Sequence, residues 1–343
     1  MATTHSAVLT DPEWFAHRFV EADDAFRLIR LGRTEHAAMP FLTDDYLGER
    51  LQGGDVATDL CLRLPGDAPL HFLFHSAFCG STMLVRALDV AGVAMGLSEP
   101  LVLNDIVGFR RRNADPRAVA RMADAATRLL ARPFGADKAV VVKPSNLINP
   151  LASLLMALRS EAQAVFLFAP LETFLISVAR KGLHCRIWVR ELLEGYLRDG
   201  ALEGLGFEPE DYFRQSDLQV AAVGWLAQHR LFAQLAERVG PQRLASLDAD
   251  AMLQDPARAL AAVSKHYGLD LGSAQIAAIL TGPAFAQHSK SGAAYSGEAR
   301  AADYARVREA HGDEIDMVMT WAQAVAQTAG VSLAGPNPLL AQA

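Results

Sequence analysis

The segment Phe74-His75-Ser76-Ala77-Phe78-Cys79-Gly80-Ser81-Thr82 has the residue types and spacing best suited to chemistry in this chain. Small residues fill the turn, Gly80 lets the backbone curl, and Ser81 and Thr82 bring two hydroxyls to the expected start of a helix. A helix start presents unpaired N–H groups and the positive end of the helix dipole, so such a loop can cradle an anion. A nucleotide-hydrolysing loop would read G-x-x-x-x-G-K-S/T, with its lysine on the terminal phosphates. Here there is no loop lysine and only one of the two glycines, which speaks against ATP or GTP hydrolysis. Two other readings stay open at this point. One is a plain tight turn between strand and helix. The other makes Cys79 a nucleophile, its thiol acidified at the helix start. A thiol-phosphatase loop, however, needs an arginine where Val85 stands, and Arg86 comes one residue late. No His or carboxylate cluster has the spacing of a metal site.

The flanking elements must position this loop. Leu70 to His75 reads as a short buried strand, and Met83 to Leu88 takes up helical periodicity. Further strands are expected at Ala139–Val142, closed by Lys143-Pro144-Ser145-Asn146, at Ala164–Phe168, and at Arg243–Leu247. Leu97-Ser98-Glu99-Pro100 should end another extended segment near the loop. Helices are expected over Leu151–Leu158, Leu171–Lys181, Ser216–Val239 and Pro256–Tyr267, the last closed by Gly268. Short, all-apolar strands between helices imply a parallel sheet covered on both faces. The expectation is an α/β fold, one doubly wound parallel sheet with helical insertions. Upstream, Asp11-Pro12-Glu13 has the make-up of a helix start, and Pro65-Gly66-Asp67 marks a turn. The expected organisation is an N-terminal extension over 1–66, an α/β domain over 67–330 and a tail over 331–343.

Composition sets outer limits. A chain of 343 residues with 51% hydrophobic and 21% charged residues can bury a sizeable core without disulfide or metal staples. Cys61, Cys79 and Cys185 lie far apart, so a reducing compartment, the cytoplasm, is the expectation. No apolar run reaches the ~18–20 residues of a membrane span, and the acidic N-terminus lacks a signal-peptide layout. A net charge of −7 argues against bulk nucleic-acid binding, though not against a small anion in a local basic pocket.

Three segments together carry a family resemblance. The segment from Phe74 to Leu84 resembles the 5′-phosphosulfate loop of PAPS-dependent sulfotransferases, whose pattern is roughly P-K/R-S-G-T-S/T-x-L. The segment Phe166-Leu167-Phe168-Ala169-Pro170-Leu171-Glu172-Thr173-Phe174-Leu175-Ile176-Ser177 resembles the family's 3′-phosphate segment, a strand followed by R-x-P-x-D-x-x-x-S. Leu244 to Asp248, Leu253-Gln254-Asp255-Pro256 and Tyr267-Gly268-Leu269 resemble its closing stretch. The matches run from about residue 70 to 295, roughly two thirds of the chain.

The resemblance implies a P-loop-like fold and PAPS as co-substrate, with no metal. It also implies transfer of a sulfuryl group to a hydroxyl or amine of a small-molecule acceptor. Donor contacts would come from Ala77, Phe78, Cys79, Gly80, Ser81 and Thr82, and from Ser177. Phe78 stands where the family has a loop Lys or Arg, and Ala169 where it has the arginine of the 3′-phosphate site. Arg180 and Lys181, a helical turn past Ser177, are the substitutes expected at the 3′-phosphate, with Lys290 in a basic lid loop, Ser289-Lys290-Ser291-Gly292. For the chemistry, Glu99 resembles the glutamate base of the protein-tyrosine and heparan branches. Lys143 matches the lysine of the cytosolic branch, whose histidine is replaced by Ser145. His75 is the other base candidate, against a plainer reading as a satisfied strand-end histidine. His184, Arg186 and Arg190 are candidates for the lining of an acceptor channel. Loss of the two family cations motivates an alternative, a sulfotransferase-like binding protein without catalysis. A small-molecule kinase is a further alternative, disfavoured by the missing loop lysine.

Overall fold

The structure is a computed structural model and describes residues 7–48, 53–66, 68–286 and 297–340. Two sheets organise it. Strands β1 (Trp14–Val20), β2 (Ala25–Arg30) and β3 (Gly53–Ala57) form an antiparallel sheet in the order β1-β2-β3. Strands β4 (Leu70–His75), β5 (Ala94–Ser98), β6 (Ala139–Lys143), β7 (Ala164–Phe168) and β8 (Leu244–Asp248) form the main sheet, β5-β6-β4-β7-β8, parallel throughout. Every residue of β4, β6 and β7 is buried, as their largely apolar sequences require of strands covered on both faces. β4 is central. The chain leaves it for the β5 edge, returns through β6, and crosses to β7 and β8. The loop after β4 therefore lies at the reversal of strand order, where open α/β sheets bind ligands beyond their carboxyl ends.

Helices cover both faces. The helix Ser81–Ala87 (α1) follows β4, and Leu101–Arg111 (α2) and Pro116–Leu130 (α3) follow β5. Leu171–Arg180 (α4) and Gly182–Arg198 (α5) follow β7, and Asp217–Val239 (α6) leads into β8. Pro256–His266 (α7) and the long helix Gly297–Ala329 (α8) complete the set needed here. Phe74 and Phe166 are register partners on one face, where α6 covers them. Phe232 of α6 stacks on Phe166 at 4.1 Å between ring centroids and lies 5.3 Å from Phe74. Such pairs add about 0.5–1.5 kcal/mol beyond area burial. On the opposite face Tyr267, at the end of α7, stacks on His71. α1 packs so closely on β5 that a Cβ at Gly96 would sit 2.5 Å from the Val85 carbonyl oxygen.

The N-terminal sheet is held to α2 through Asp105. Its carboxylate takes both Nε and Nη2 of Arg18 at 3.0–3.2 Å and the Phe19 N–H at 2.8 Å. The expected helix at Asp11-Pro12-Glu13 is not formed, and β1 begins at Trp14 instead. Asp11 Oδ1 accepts from the Glu13 N–H at 2.9 Å and closes a turn. At the other end, residues 337–339 run along β8: the Ser246 N–H donates to the Asn337 carbonyl at 3.1 Å and the Leu339 N–H to the Ser246 carbonyl at 2.8 Å. That covers an otherwise open sheet edge. No described helix is long and apolar enough to cross a membrane.

Candidate active site

Register brings the candidate groups together. Ser98 of β5 pairs with Lys143 of β6, and Phe72 of β4 with Val142. Neighbours in register share a face, so Lys143 and Ser98 point the same way as Leu73 and, two residues on, His75. The carboxyl ends of three adjacent strands thus present Glu99, Lys143 and His75 side by side. Lys143 is completely buried, and its Nζ donates to Glu99 Oε1. The Ser98 hydroxyl lies 3.5 Å from the same ammonium, and the Phe41 ring centroid 4.9 Å. Phe41 comes from the N-terminal extension, which the Leu42 N–H anchors to the Ser98 carbonyl at 2.8 Å.

Glu99 occupies a left-handed backbone conformation, φ 52°, which is costly for a residue with a Cβ. Its N–H is tied to the Lys143 carbonyl at 2.7 Å, and its side chain is 23% exposed. The carboxylate therefore touches a buried ammonium on one side and solvent on the other.

His75 is clamped at both ring nitrogens. Nδ1 accepts from the Ala77 N–H at 3.1 Å, and Nε2 lies 3.0 Å from the Pro144 carbonyl oxygen. An N–H facing Nδ1 and a carbonyl facing Nε2 are both satisfied by the Nε2–H tautomer. Nε2 is also 3.9 Å from Glu99 Oε1. The backbone of His75 is fixed in turn by Asn149, whose Nδ2 donates to the His75 carbonyl at 3.1 Å.

The loop itself is unusual in its backbone. Ala77, Phe78 and Gly80 all have positive φ, at 73°, 53° and 78°. Ser76 anchors the start: its N–H donates to the Leu167 carbonyl at 3.1 Å, and its hydroxyl accepts from the Ala169 N–H at 3.1 Å. Cys79 is buried, and burial pushes its thiol up from the ordinary value, so the reading of Cys79 as an activated nucleophile is corrected to a packed core thiol. Ser81 and Thr82, at the start of α1, are buried as well.

The positions where the resemblance lacked a cation hold other structure. Phe78 packs on Phe174 of α4 and Trp188 of α5, with centroids 5.7 and 5.5 Å away, and Lys181 Nζ lies 5.3 Å from its ring. The Ala169 carbonyl accepts from the Trp225 indole N–H at 2.9 Å. Ser177 shares a 2.8 Å hydrogen bond with the Tyr304 hydroxyl of α8, and Arg180 lies 3.3 Å from Asp303 Oδ2, with its guanidinium 5.7 Å from the Tyr304 ring. Arg180 and Lys181 thus serve different neighbours: Arg180 stands with Ser177 under α8, and Lys181 reaches the loop. Lys290 lies outside the described residues. Arg186 and Arg190 are engaged by Glu314 and Asp217, at 3.1 and 2.5 Å. Sequence reasoning missed Phe41, Asp303 and Tyr304. It also missed the even spacing of Phe174, Lys181 and Trp188, the one signal that could have tied them to a single neighbour. Among the described residues no group of three or more His, Cys, Asp or Glu could hold a metal ion.

No family model matches the chain, and no curated protein matches it. The chain is similar to bacterial sulfotransferases of known structure. Sulfotransferase STF9 from Mycobacterium avium is 12% identical, with 81% of this chain and 85% of that chain covered and a TM-score of 0.44. Sulfotransferase STF1 from Mycobacterium tuberculosis is 17% identical, with 73% and 77% covered and a TM-score of 0.41. The sulfotransferase domain of the Synechococcus PCC 7002 olefin synthase is 13% identical, with 68% and 84% covered and a TM-score of 0.41.

Proposed function

We propose that this chain transfers a sulfuryl group from PAPS to a hydroxyl or amine of a small acceptor. One observation carries the reading: a carboxylate, a buried ammonium and an imidazole converge at the ends of β5, β6 and β4, beside a loop with three left-handed residues. The chain's residues fit a polyanionic donor in part. The loop backbone and the hydroxyls of Ser81 and Thr82 suit the phosphosulfate end, and Ser177 with Arg180 suits a phosphate. Neither Phe78 nor Ala169 adds charge.

When bound, PAPS supplies an activated sulfur whose bond to the phosphate oxygen breaks as the acceptor oxygen or nitrogen attacks. Glu99, partly exposed, accepts the acceptor's proton. Lys143 orients that carboxylate and places positive charge beside the site of transfer. His75, with both nitrogens engaged, acts as a positioning group that ties the loop at Ala77 to the end of β6 at Pro144. The N-terminal extension shields the ammonium from water through Phe41.

The test is incubation with radiolabelled PAPS and pooled hydroxyl and amine acceptors, alongside calorimetric titration with PAPS. Binding with transfer supports the reading, and Glu99→Gln should then bind and fail to transfer. Binding without transfer to any acceptor would favour a binding protein, and absence of both overturns the proposal.

A further inference from the structure

The N-terminal extension brings aromatic surface to the reacting groups. The Phe41 ring centroid lies 4.9 Å from the Lys143 ammonium, which donates to Glu99. The Tyr46 ring meets Phe41 edge-on, with 5.7 Å between centroids, and Tyr46 is 43% exposed. A line of touching side chains therefore runs from Glu99 through Lys143 and Phe41 to an aromatic ring open to solvent.

The backbone that carries this ring is well anchored. Tyr46 sits in the short helix Asp44–Leu47. At one end of that helix the Asp44 carboxylate meets His17 Nε2 at 2.7 Å and Arg18 Nη1 at 3.1 Å, both from β1. At the other end Leu47 is buried in the core. Upstream, the Leu42 N–H donates to the Ser98 carbonyl beside Glu99. Burial of an aromatic ring is favourable, yet this tied-down element leaves one at the surface, next to the reacting groups. Small-molecule sites are built this way, with aromatic walls around a few converging polar groups.

We propose that Phe41 and Tyr46 form the acceptor-side wall, and that the acceptor carries an aromatic ring that packs on Tyr46 while its hydroxyl or amine reaches Glu99. The inference rests on the sulfuryl-transfer reading and narrows it to ring-bearing acceptors. Tyr46 is then a specificity-determining residue, which recognises the part of the acceptor that does not react. Edge and face contacts between rings reward an aromatic acceptor over a saturated one of the same size. The reaction itself is unchanged. The acceptor oxygen or nitrogen bonds to sulfur, its proton passes to Glu99, and the bond from sulfur to the phosphate oxygen breaks.

The experiment compares wild type, Tyr46→Leu and Tyr46→Phe by calorimetry with two probes. These are 2-(2-naphthyl)ethanol and its fully saturated analogue, which share a skeleton and a hydroxyl and differ in the rings. Wild type should bind the aromatic probe more tightly. Tyr46→Leu should weaken that probe roughly 2- to 10-fold, the span of one aromatic pair, and leave the saturated probe little changed. Tyr46→Phe should match wild type. In transfer from PAPS, Tyr46→Leu should raise KM for the aromatic probe with kcat little changed. Unchanged melting temperatures check that the fold is intact. A wild-type chain that binds neither probe or both equally, or a Tyr46→Leu chain that binds them as wild type does, overturns the inference while leaving sulfuryl transfer standing. Ring-selective binding with no transfer from PAPS to this or any pooled acceptor removes the reading beneath it instead.

Discussion

Lys143, without exposed surface, donates to the carboxylate of Glu99, a residue held in a left-handed backbone conformation at the end of the neighbouring strand. The pair is asymmetric. Glu99 can reach water and Lys143 cannot. Lone charges in a protein interior are costly, so the two halves of the pair do not tolerate loss equally.

Glu99→Ala removes the carboxylate that a buried ammonium donates to and should lower unfolding free energy by about 3–5 kcal/mol. Lys143→Met leaves a carboxylate that rehydrates and should cost less, about 1–3 kcal/mol. Urea unfolding monitored by fluorescence measures both. Equal losses, or a larger loss for Lys143→Met, would show that the ammonium is hydrated in solution.

The pairing was half legible in the sequence. Strands such as Ala139-Val140-Val141-Val142 announce themselves because both faces must be apolar, and their ends locate Lys143 and His75. β5 is harder to read, since Gly96 is demanded by the approach of α1 and not by any strand preference. Asp11-Pro12-Glu13 misled because a helix cap and a turn use the same bond, an aspartate oxygen accepting from the N–H two residues on. The contacts from α8 were invisible for another reason. Tyr304 meets Ser177 from 127 residues away, and no local pattern encodes such a pairing.

The same helix, α8, also places Asp303 at Arg180. Asp303 pairs with Arg180, so under the proposed function a phosphate arriving at Ser177 and Arg180 would compete with it. Asp303→Asn should tighten binding of adenosine 3′,5′-bisphosphate about 2- to 5-fold, the range set by a partly exposed ion pair. Calorimetric titration checks it. Unchanged affinity would remove Arg180 from the proposed phosphate site.

His75 offers a way to separate positioning from proton transfer. His75→Gln disturbs the bonds to Ala77 and Pro144 and should destabilise the chain by about 1–3 kcal/mol, the cost of one buried group left unpaired. Under the proposed function, sulfuryl transfer should slow at every pH with the shape of its pH profile preserved. Loss of the acidic limb of that profile would instead make the imidazole the proton acceptor.

Buried histidines elsewhere set the acid stability of the fold. His36 lies between the rings of Phe15 and Phe134, at 5.1 and 5.5 Å, with no partner for either ring nitrogen, and burial lowers its pKa from 6.5 to about 3. Burial likewise lowers His71 to about 4 and His229 to about 3. Between these values and about 6.5, the unfolded chain takes up protons that the folded chain refuses. Stability is therefore complete above about pH 6.5 and falls as the pH drops towards 3, with each group contributing up to about 1.4 kcal/mol per pH unit. His36→Phe keeps an aromatic ring between Phe15 and Phe134 and removes one such group. Its urea midpoint should fall less steeply than that of wild type between about pH 6 and pH 4, and the two should run parallel above pH 7. Parallel curves throughout would mean that His36 reaches solvent and titrates as it does in the unfolded chain.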